Sequence, residues 1–279
     1  MTTMTGGPQT TEAAPPTPAN PFERLDDAPQ EQQRRIIGYL DTVAAHPEIQ
    51  RMRSAAFELF APTAGERLLD VGCGAGEVSR QLAARVGTTG SVTAVDRSAE
   101  AISVAQSRHD GSSVTYMVGD ITALDFPDGH FDGVRCERVL QHLPDPDHAI
   151  KEMIRVTRPG GRVCVIDTDW TSSVGDGFDH LAEVLERFPF PHPSAGRTAR
   201  ARMVKADLPV TTALPVTLRF TTPDDAAVVV PLFDETPLRT CVQPELVEPF
   251  LDSVRQSAER GDFLFAFTMW ISLGRVETV

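Results

Sequence analysis

Long apolar runs are missing from this sequence, and so are paired cysteines, an excess of basic charge and any leader-like segment. No stretch approaches the roughly 18 consecutive apolar residues that would span a bilayer, so no membrane association is expected. The four cysteines, Cys73, Cys136, Cys164 and Cys241, stand far apart with no C-x-x-C pair. That speaks against a disulfide framework or a zinc site and suits reduced thiols in a cytoplasm. The net charge of -13 repels phosphate backbones, and no basic face with interleaved aromatics offsets it, so nucleic acid is not expected as a partner. Lysine is nearly absent: Lys151 and Lys205 are the only two among 26 basic residues. The arginine bias points to a high-GC, bacterial genome and carries no chemistry. The opening MTTMTGGPQTTEAAPPTPANP has neither a basic nor an apolar region, so 1–28 reads as a disordered tail and not as a secretion signal.

What is present is an ordinary globular composition, 41% hydrophobic and 23% charged over 279 residues, enough for one large or two small domains. Residues 31–45 and 48–60 carry apolar positions at helical spacing, Ile36, Ile37, Leu40 and Val43 in the first, which predicts two leading helices. From Arg67 strands and helices alternate: RLLDV, EVSRQLAARV, SVTAVD, SAEAISVAQSRH, SVTYMV, then FDGVRC, DHAIKEMIRVT and GRVCVID. This order implies right-handed β-α-β units and an α/β, doubly wound, mostly parallel sheet. Pro159, Gly160 and Gly161 are expected to stop a helix and launch the fifth strand. Beyond it, TDWTSSVGDGFDHLAEVLERFPFPHPS reads as a helix and a Pro-rich turn, GRTARARMVKAD as a helix and ALPVTLRF as a strand. DDAAVVVPLFDE and QPELVEPFLDSVRQSAER read as inserted helices before a seventh strand, DFLFAFTMWISLGR. The implied organisation is a helical cap over 29–62, a Rossmann-like core over 63–170, and the rest of the sheet over 171–279 with insertions forming a lid above the strand ends.

The stretch LLDVGCGAGE places Gly72, Gly74 and Gly76 where the first strand meets the first core helix, leaving backbone open to a nucleotide-like ligand. A dinucleotide fingerprint would need glycine at 77, which is Glu77, and a carboxylate at the helix start opposes a pyrophosphate. Asp70 could attract an ammonium, directly or through water. Asp96 closes the second strand 20 residues after Gly76, the spacing at which a carboxylate accepts from ribose hydroxyls. Ser98 stands ready as the helix cap beside it. Asp120, after the third strand, could accept an adenine amine while Ile121 packs on the ring, or it could cap its own loop. An adenosine joined to a zwitterionic amino acid without phosphate is S-adenosylmethionine.

Residues 66–169 resemble the class I S-adenosylmethionine-dependent methyltransferases. DVGCGAG, VTAVDRS, VGDITALDFPDGHFD and RVLQHLPDPDHAIKEMIRVTRPGGRV match the family's motifs in order. The chain is most similar to the menaquinone and ubiquinone C-methyltransferase branch and to small-molecule methyltransferases of bacterial secondary metabolism. The resemblance implies a Rossmann-like sheet of seven strands and a donor site of Asp70, Gly72, Gly74, Gly76, Asp96, Arg97, Asp120, Ile121 and Cys136. It also implies that Tyr39, on the first helix, closes the N-terminal segment over the donor.

The acceptor is expected to be an apolar or aromatic small molecule. Candidates for its site are Glu137, Arg138, Gln141 and His142 after the fourth strand and Asp167, Asp169 and Trp170 after the fifth. In similar enzymes a His at position 142 and an acid at position 169 lie near the acceptor, so His142 and Asp169 are the catalytic candidates. An unperturbed His142, near ~6.5, would serve as a base, which inclines the reading to O-methylation over C- or N-methylation. Asp167 and Asp169 could suggest magnesium, but they are read as facing opposite sides of the strand with no Asn following, so no metal is expected. Phe178, Phe188, Phe190, Phe233 and Trp270 could line the acceptor pocket or fill the lid core. The competing readings are a donor-binding protein that does not methylate, such as a cyclase or regulatory binder, and a nicotinamide oxidoreductase. Self-association is left open.

Overall fold

The chain's first helical break is set by one dipeptide. Pro47 lacks the N–H that an unbroken helix would use, so the computed structural model, which describes residues 29–278 except 189, has α1 at Gln30–Ala45 and α2 at Pro47–Phe60. His46 between them caps α2, its Nδ1 accepting from Glu48 N–H at 3.2 Å. The expected tail, 1–28, lies outside the described residues.

Alternation then follows as expected: β1 Arg67–Val71, α3 Glu77–Val86, β2 Ser91–Asp96, α4 Ala99–Ser107, β3 Val114–Val118, β4 Phe131–Glu137, α5 Pro146–Val156 and β5 Thr157–Asp176. The later elements are α6 Leu181–Arg187, α7 Ala195–Lys205, β6 Val210–Phe220, α8 Pro223–Val229, α9 Glu235–Cys241, α10 Pro244–Arg260 and β7 Leu264–Arg275. The seven strands form one sheet in the order β3-β2-β1-β4-β5-β7-β6. Strands β1 to β5 pair in parallel, and β7 runs antiparallel to β5 and β6.

Period-two alternation along the strands divides the interior into two layers. Leu68 joins Val43, Met52, Phe60 and Leu82 on the face covered by α1–α4 and the lid helices. Leu69 and Val71 join Met153, Ala199 and Met203 on the face covered by α5 and α7. The strand order reverses between β1 and β4, and ligands of such sheets bind at the carboxyl ends beside that switch.

The structure corrects three local expectations. Pro159-Gly160-Gly161 does not open the fifth strand: β5 begins at Thr157, paired with Phe131. DWTSSVGD is strand, not helix and turn, because Val174, Gly175 and Asp176 pair with Ala266, Phe265 and Leu264 of β7. That partner lies some ninety residues away in sequence, out of reach of a local pattern. The boundary drawn at 170/171 therefore falls inside β5, and the two parts share one sheet. Finally, α9 went unread. No helix among the described residues is long and apolar enough to cross a membrane.

Candidate active site

After β1 the chain turns through Gly72, Gly74 and Gly76 at φ +72°, +52° and +77°, a region glycine enters without the clash a Cβ would cause. The Gly72 and Cys73 N–H groups both donate to Val95 O of β2, at 2.7 and 3.1 Å. A Cβ on Gly72 would meet Val139 Cγ2 at 2.2 Å, and one on Gly76 would meet the Tyr116 ring at 2.6 Å. The loop is thus packed to its backbone. Asp96 accepts from Gly74 N–H through Oδ2 at 2.8 Å and from Ser98 N–H through Oδ1 at 3.0 Å. Ser98 is the cap of α4, its Oγ accepting from Ala101 N–H at 3.1 Å, so the Asp96 carboxylate turns toward the loop.

Asp70 is placed differently from the sequence reading. Its side chain is buried beneath the loop, 3% exposed, accepting from Ser79 Oγ at 2.7 Å with Arg135 at 3.8 Å. Burial pushes its carboxyl up, against the pull of Arg135 and Ser79. Direct contact with a ligand ammonium is not open to it.

Arg135 belongs to a buried ionic chain that ties the cap to the sheet. Glu137, at the end of β4, accepts from Arg53 Nε of α2 at 2.9 Å and from Arg135 Nη2 at 2.6 Å. Arg53 also donates to Glu77 at the start of α3, at 3.0 Å. Burial would raise the Glu137 carboxyl, but the Arg53, Arg135 and Arg138 charges outweigh it and hold the group down at about 2. Glu77 therefore stands ionically paired at the helix start that a pyrophosphate would need.

The remaining donor candidates are spread over the crevice. Asp120 is exposed and turns its own loop, Oδ1 accepting from Thr122 N–H and Oγ1, both at 2.8 Å. Ile121 is buried beneath it. Arg97 is exposed at the β2–α4 turn. Cys136 is fully buried, and burial pushes its thiol well above the ordinary value. Tyr39 reaches the lid: its hydroxyl donates to Val229 O of α8 at 2.7 Å. The neighbouring Leu40 is the α1 residue over the loop, 3.5 Å from a Cβ built on Gly74.

At the acceptor end the 3-10 turn Leu140–His142 follows β4. His142 faces Phe190 at 6.3 Å between centroids, Phe190 stacks on Trp170 at 4.7 Å, and Trp170 stacks on Phe267 at 5.0 Å. Trp170 Nε1 donates to Gln141 Oε1 at 2.7 Å. Burial first, then the Arg138 charge, push the His142 imidazole down to about 3, far below the basicity taken from the unperturbed residue. Asp169, 2% exposed, is paired with Arg197 at 3.1 Å and accepts from Thr171 Oγ1. Asp167 is fully buried, accepting from Thr168 N–H at 2.8 Å and Gln141 N–H at 3.3 Å; burial pushes it up to about 7. Two positions apart on one strand, Asp167 and Asp169 share a face and do not oppose each other as read, but they hold different partners.

The aromatic candidates separate into two groups. Phe188 and Phe190 stack at 5.4 Å beside Trp170. Phe178 and Phe233 pack with Phe250 and Phe263 inside the lid. Trp270 pairs across the sheet from Asp167, away from both. The sequence reading overlooked Arg53 and Arg135; a basic residue in the strand FDGVRC, at a position alternation buries, was the available signal.

A phosphate-free adenosyl donor fits this crevice: three left-handed glycines let the loop turn tightly against β2, a paired carboxylate stands at the helix start, and Asp96 bonds the Gly74 N–H 22 residues before it. Residues 69–165 match the family described as a methyltransferase domain. An uncharacterized 37.1 kDa protein of a Streptomyces fradiae transposon is 32% identical over 194 residues, 66% of this chain and 55% of that protein. The ubiquinone/menaquinone biosynthesis C-methyltransferase UbiE of Pseudomonas aeruginosa is 35% identical over 120 residues, 42% of this chain and 47% of that protein. The chain thus spans about half the length of these curated relatives. In fold it resembles a putative methyltransferase of Bacillus halodurans, with a TM-score of 0.59 at 20% identity over 81% of this chain and 98% of that one. It also resembles the [4+2]-cyclase SpnF, with a TM-score of 0.55 at 22% identity over 83% and 82%. The matched domain, its ordered motifs and this strand order make residues 69–165 similar to the class I S-adenosylmethionine-dependent methyltransferases.

Proposed function

We propose that the protein transfers the methyl group of S-adenosylmethionine to an apolar or aromatic small molecule. The observation that carries this reading is that two unlike surfaces stand at the carboxyl ends of the strands around the β1/β4 switch: a left-handed glycine loop fastened to Asp96, and the ring stack of Trp170 and Phe190. When bound, the donor supplies a sulfonium-activated methyl for in-line displacement. The chain's own residues hold and align the partners. Asp96 accepts from the ribose hydroxyls, the loop amides flank the amino-acid end, and Ile121 with Asp120 bounds the purine. Leu40 and Tyr39 of α1 close over the crevice and exclude water, Tyr39 by joining the lid at Val229. Alignment of acceptor, methyl and sulfur supplies most of the rate in such a transfer.

With His142 held at about 3 and Asp169 paired to Arg197, neither catalytic candidate is poised as a strong base. O-methylation through this site therefore calls for an acceptor oxygen that ionises on its own, and C- or N-methylation loses its disadvantage. The arginine-rich composition and the Streptomyces relative support a bacterial setting, and we assign the reaction to secondary metabolism. The division that goes with this proposal is 29–62 as cap, 63–170 as donor core and 171–279 as lid and sheet edge, with the last boundary inside β5. The test is incubation with methyl-labelled donor and a panel of phenols, aromatic acids, quinols and amines, alongside calorimetry with S-adenosylhomocysteine. Label in one acceptor class is expected; tight binding with no transfer to any acceptor would favour a non-methylating binder instead.

A further inference from the structure

Arg138 follows β4 with φ +56°, a left-handed conformation that a residue with a side chain adopts only under constraint. The constraint is visible: its N–H donates to Ile166 O of β5 at 2.8 Å, and the next residue, Val139, fills the space against Gly72. The kink therefore sits between the donor loop and the acceptor turn, with the guanidinium only 20% exposed. Among the described residues its ion pairing is limited to Glu137 at 4.0 Å, a carboxylate already bonded by Arg53 and Arg135 at 2.9 and 2.6 Å. Arg53 has Glu77 besides, and Arg135 has Asp70. Of the three guanidiniums in this cluster, Arg138 is the one without a close counter-ion of its own.

A half-enclosed guanidinium favours a planar, bidentate anion. It also opposes a positively charged sulfonium in the same crevice unless a ligand brings negative charge with it. Arg138 stands two residues before the 3-10 turn Leu140–His142, and its N–H is bonded to Ile166 O, next to Asp167 on β5, so it borders the rim formed by that turn and β5. There the ring stack of Phe190 and Trp170 offers an aromatic wall. We infer that Arg138 anchors a carboxylate carried by the methyl acceptor, so that the substrate class is an aromatic or apolar carboxylic acid bound as its anion. The inference rests on the methyltransferase reading for the donor, and on the surroundings of Arg138 for the acid.

The test is equilibrium binding of matched pairs, aromatic or alkyl carboxylates and their amides, to the full chain with and without S-adenosylhomocysteine. Wild type is expected to bind acids more tightly than amides. Arg138→Gln is expected to lose that preference by roughly ten- to a hundredfold and to keep its S-adenosylhomocysteine affinity. Arg138→Gly, which relaxes the left-handed turn, should do the same, and Arg138→Lys should restore part of the preference. Equal affinity of wild type for acids and amides would overturn the inference. So would variants whose S-adenosylhomocysteine affinity falls while the acid preference survives, since the anion held would then be the donor's own carboxylate. An acid preference in a protein that binds no S-adenosylhomocysteine would leave Arg138 as the anchor and sink the methyltransferase reading alone.

Discussion

The two halves of the crevice are built on opposite principles. On the donor side position is set by backbone: three left-handed glycines, amides bonded to β2, and Asp96 fastened to Gly74 and Ser98. On the proposed acceptor side position is set by side chains, a row of stacked rings from Phe188 to Phe267 under helices inserted between strands. Backbone geometry suits a ligand that never changes. Side-chain packing can be refashioned around a new ligand while the sheet below stays the same. Between the halves lies the ionic chain from Arg53 to Glu137 and Arg135, which decides how the cap helices sit on both.

Breaking that link should give the largest effect. Glu137→Gln leaves Arg53 and Arg135 buried without their shared carboxylate, and removing one partner of such a network costs about 3–5 kcal/mol. Urea unfolding of the variant should show it. The same group gives a pH signature. Its folded value, about 2, lies below the ordinary glutamate value of 4.5, so its contribution is fully present above the unfolded value and is lost as pH falls through about 2. Over that window wild type should lose about 3 kcal/mol more than Glu137→Gln; parallel acid-denaturation curves would show that the pairing contributes nothing.

A sharper separation of the halves comes from Asp96→Ala. Loss of two ribose bonds should weaken S-adenosylhomocysteine binding by roughly 1.5–3 kcal/mol, one to two decades, with acceptor binding unchanged. Unaltered calorimetric affinity would place the ribose elsewhere. Tyr39→Phe, which frees the lid at Val229, should destabilise the fold by about 0.5–1.5 kcal/mol and raise the KM for the acceptor more than the affinity for the donor changes. The smallest effect is expected at His142. Held at about 3, it is neutral throughout pH 5–9, so the kcat profile should carry no histidine inflection, and His142→Gln should retain turnover within about threefold. An inflection near ~6.5 that disappears in the variant would restore it as the base.

The glycine turn and the strand ends around it were legible because their signals are local. Glycine spacing, a strand-ending Asp96 and the alternation of RLLDV and SVTAVD lie within a few turns of one another, and period and turn chemistry read them directly. Even there, the burial of Asp70 beneath the loop was not legible, since its partner Arg135 lies sixty-five residues on. The lid half depends on distant pairings. DWTSSVGD becomes strand only because β7 lies beside it, and the split between Phe190, beside Trp170, and Phe178, deep in the lid core, is a matter of tertiary packing. The weak basicity of His142 was illegible for the same reason, since it follows first from burial and the neighbouring ring, Phe190, comes from a distant segment.

The irregularity in β5 between Asp169 and Val174, where register with β7 shifts, marks a natural seam. Upstream of it, as far as Ile166, the strand is paired with β4 in the parallel sheet, and downstream its strand partner is antiparallel β7. A chimera that joins a foreign C-terminal portion at this seam would keep the glycine loop, Asp96 and Asp120 in their own chain while exchanging the walls that choose what enters beside them, and Tyr39 would lose its Val229 partner.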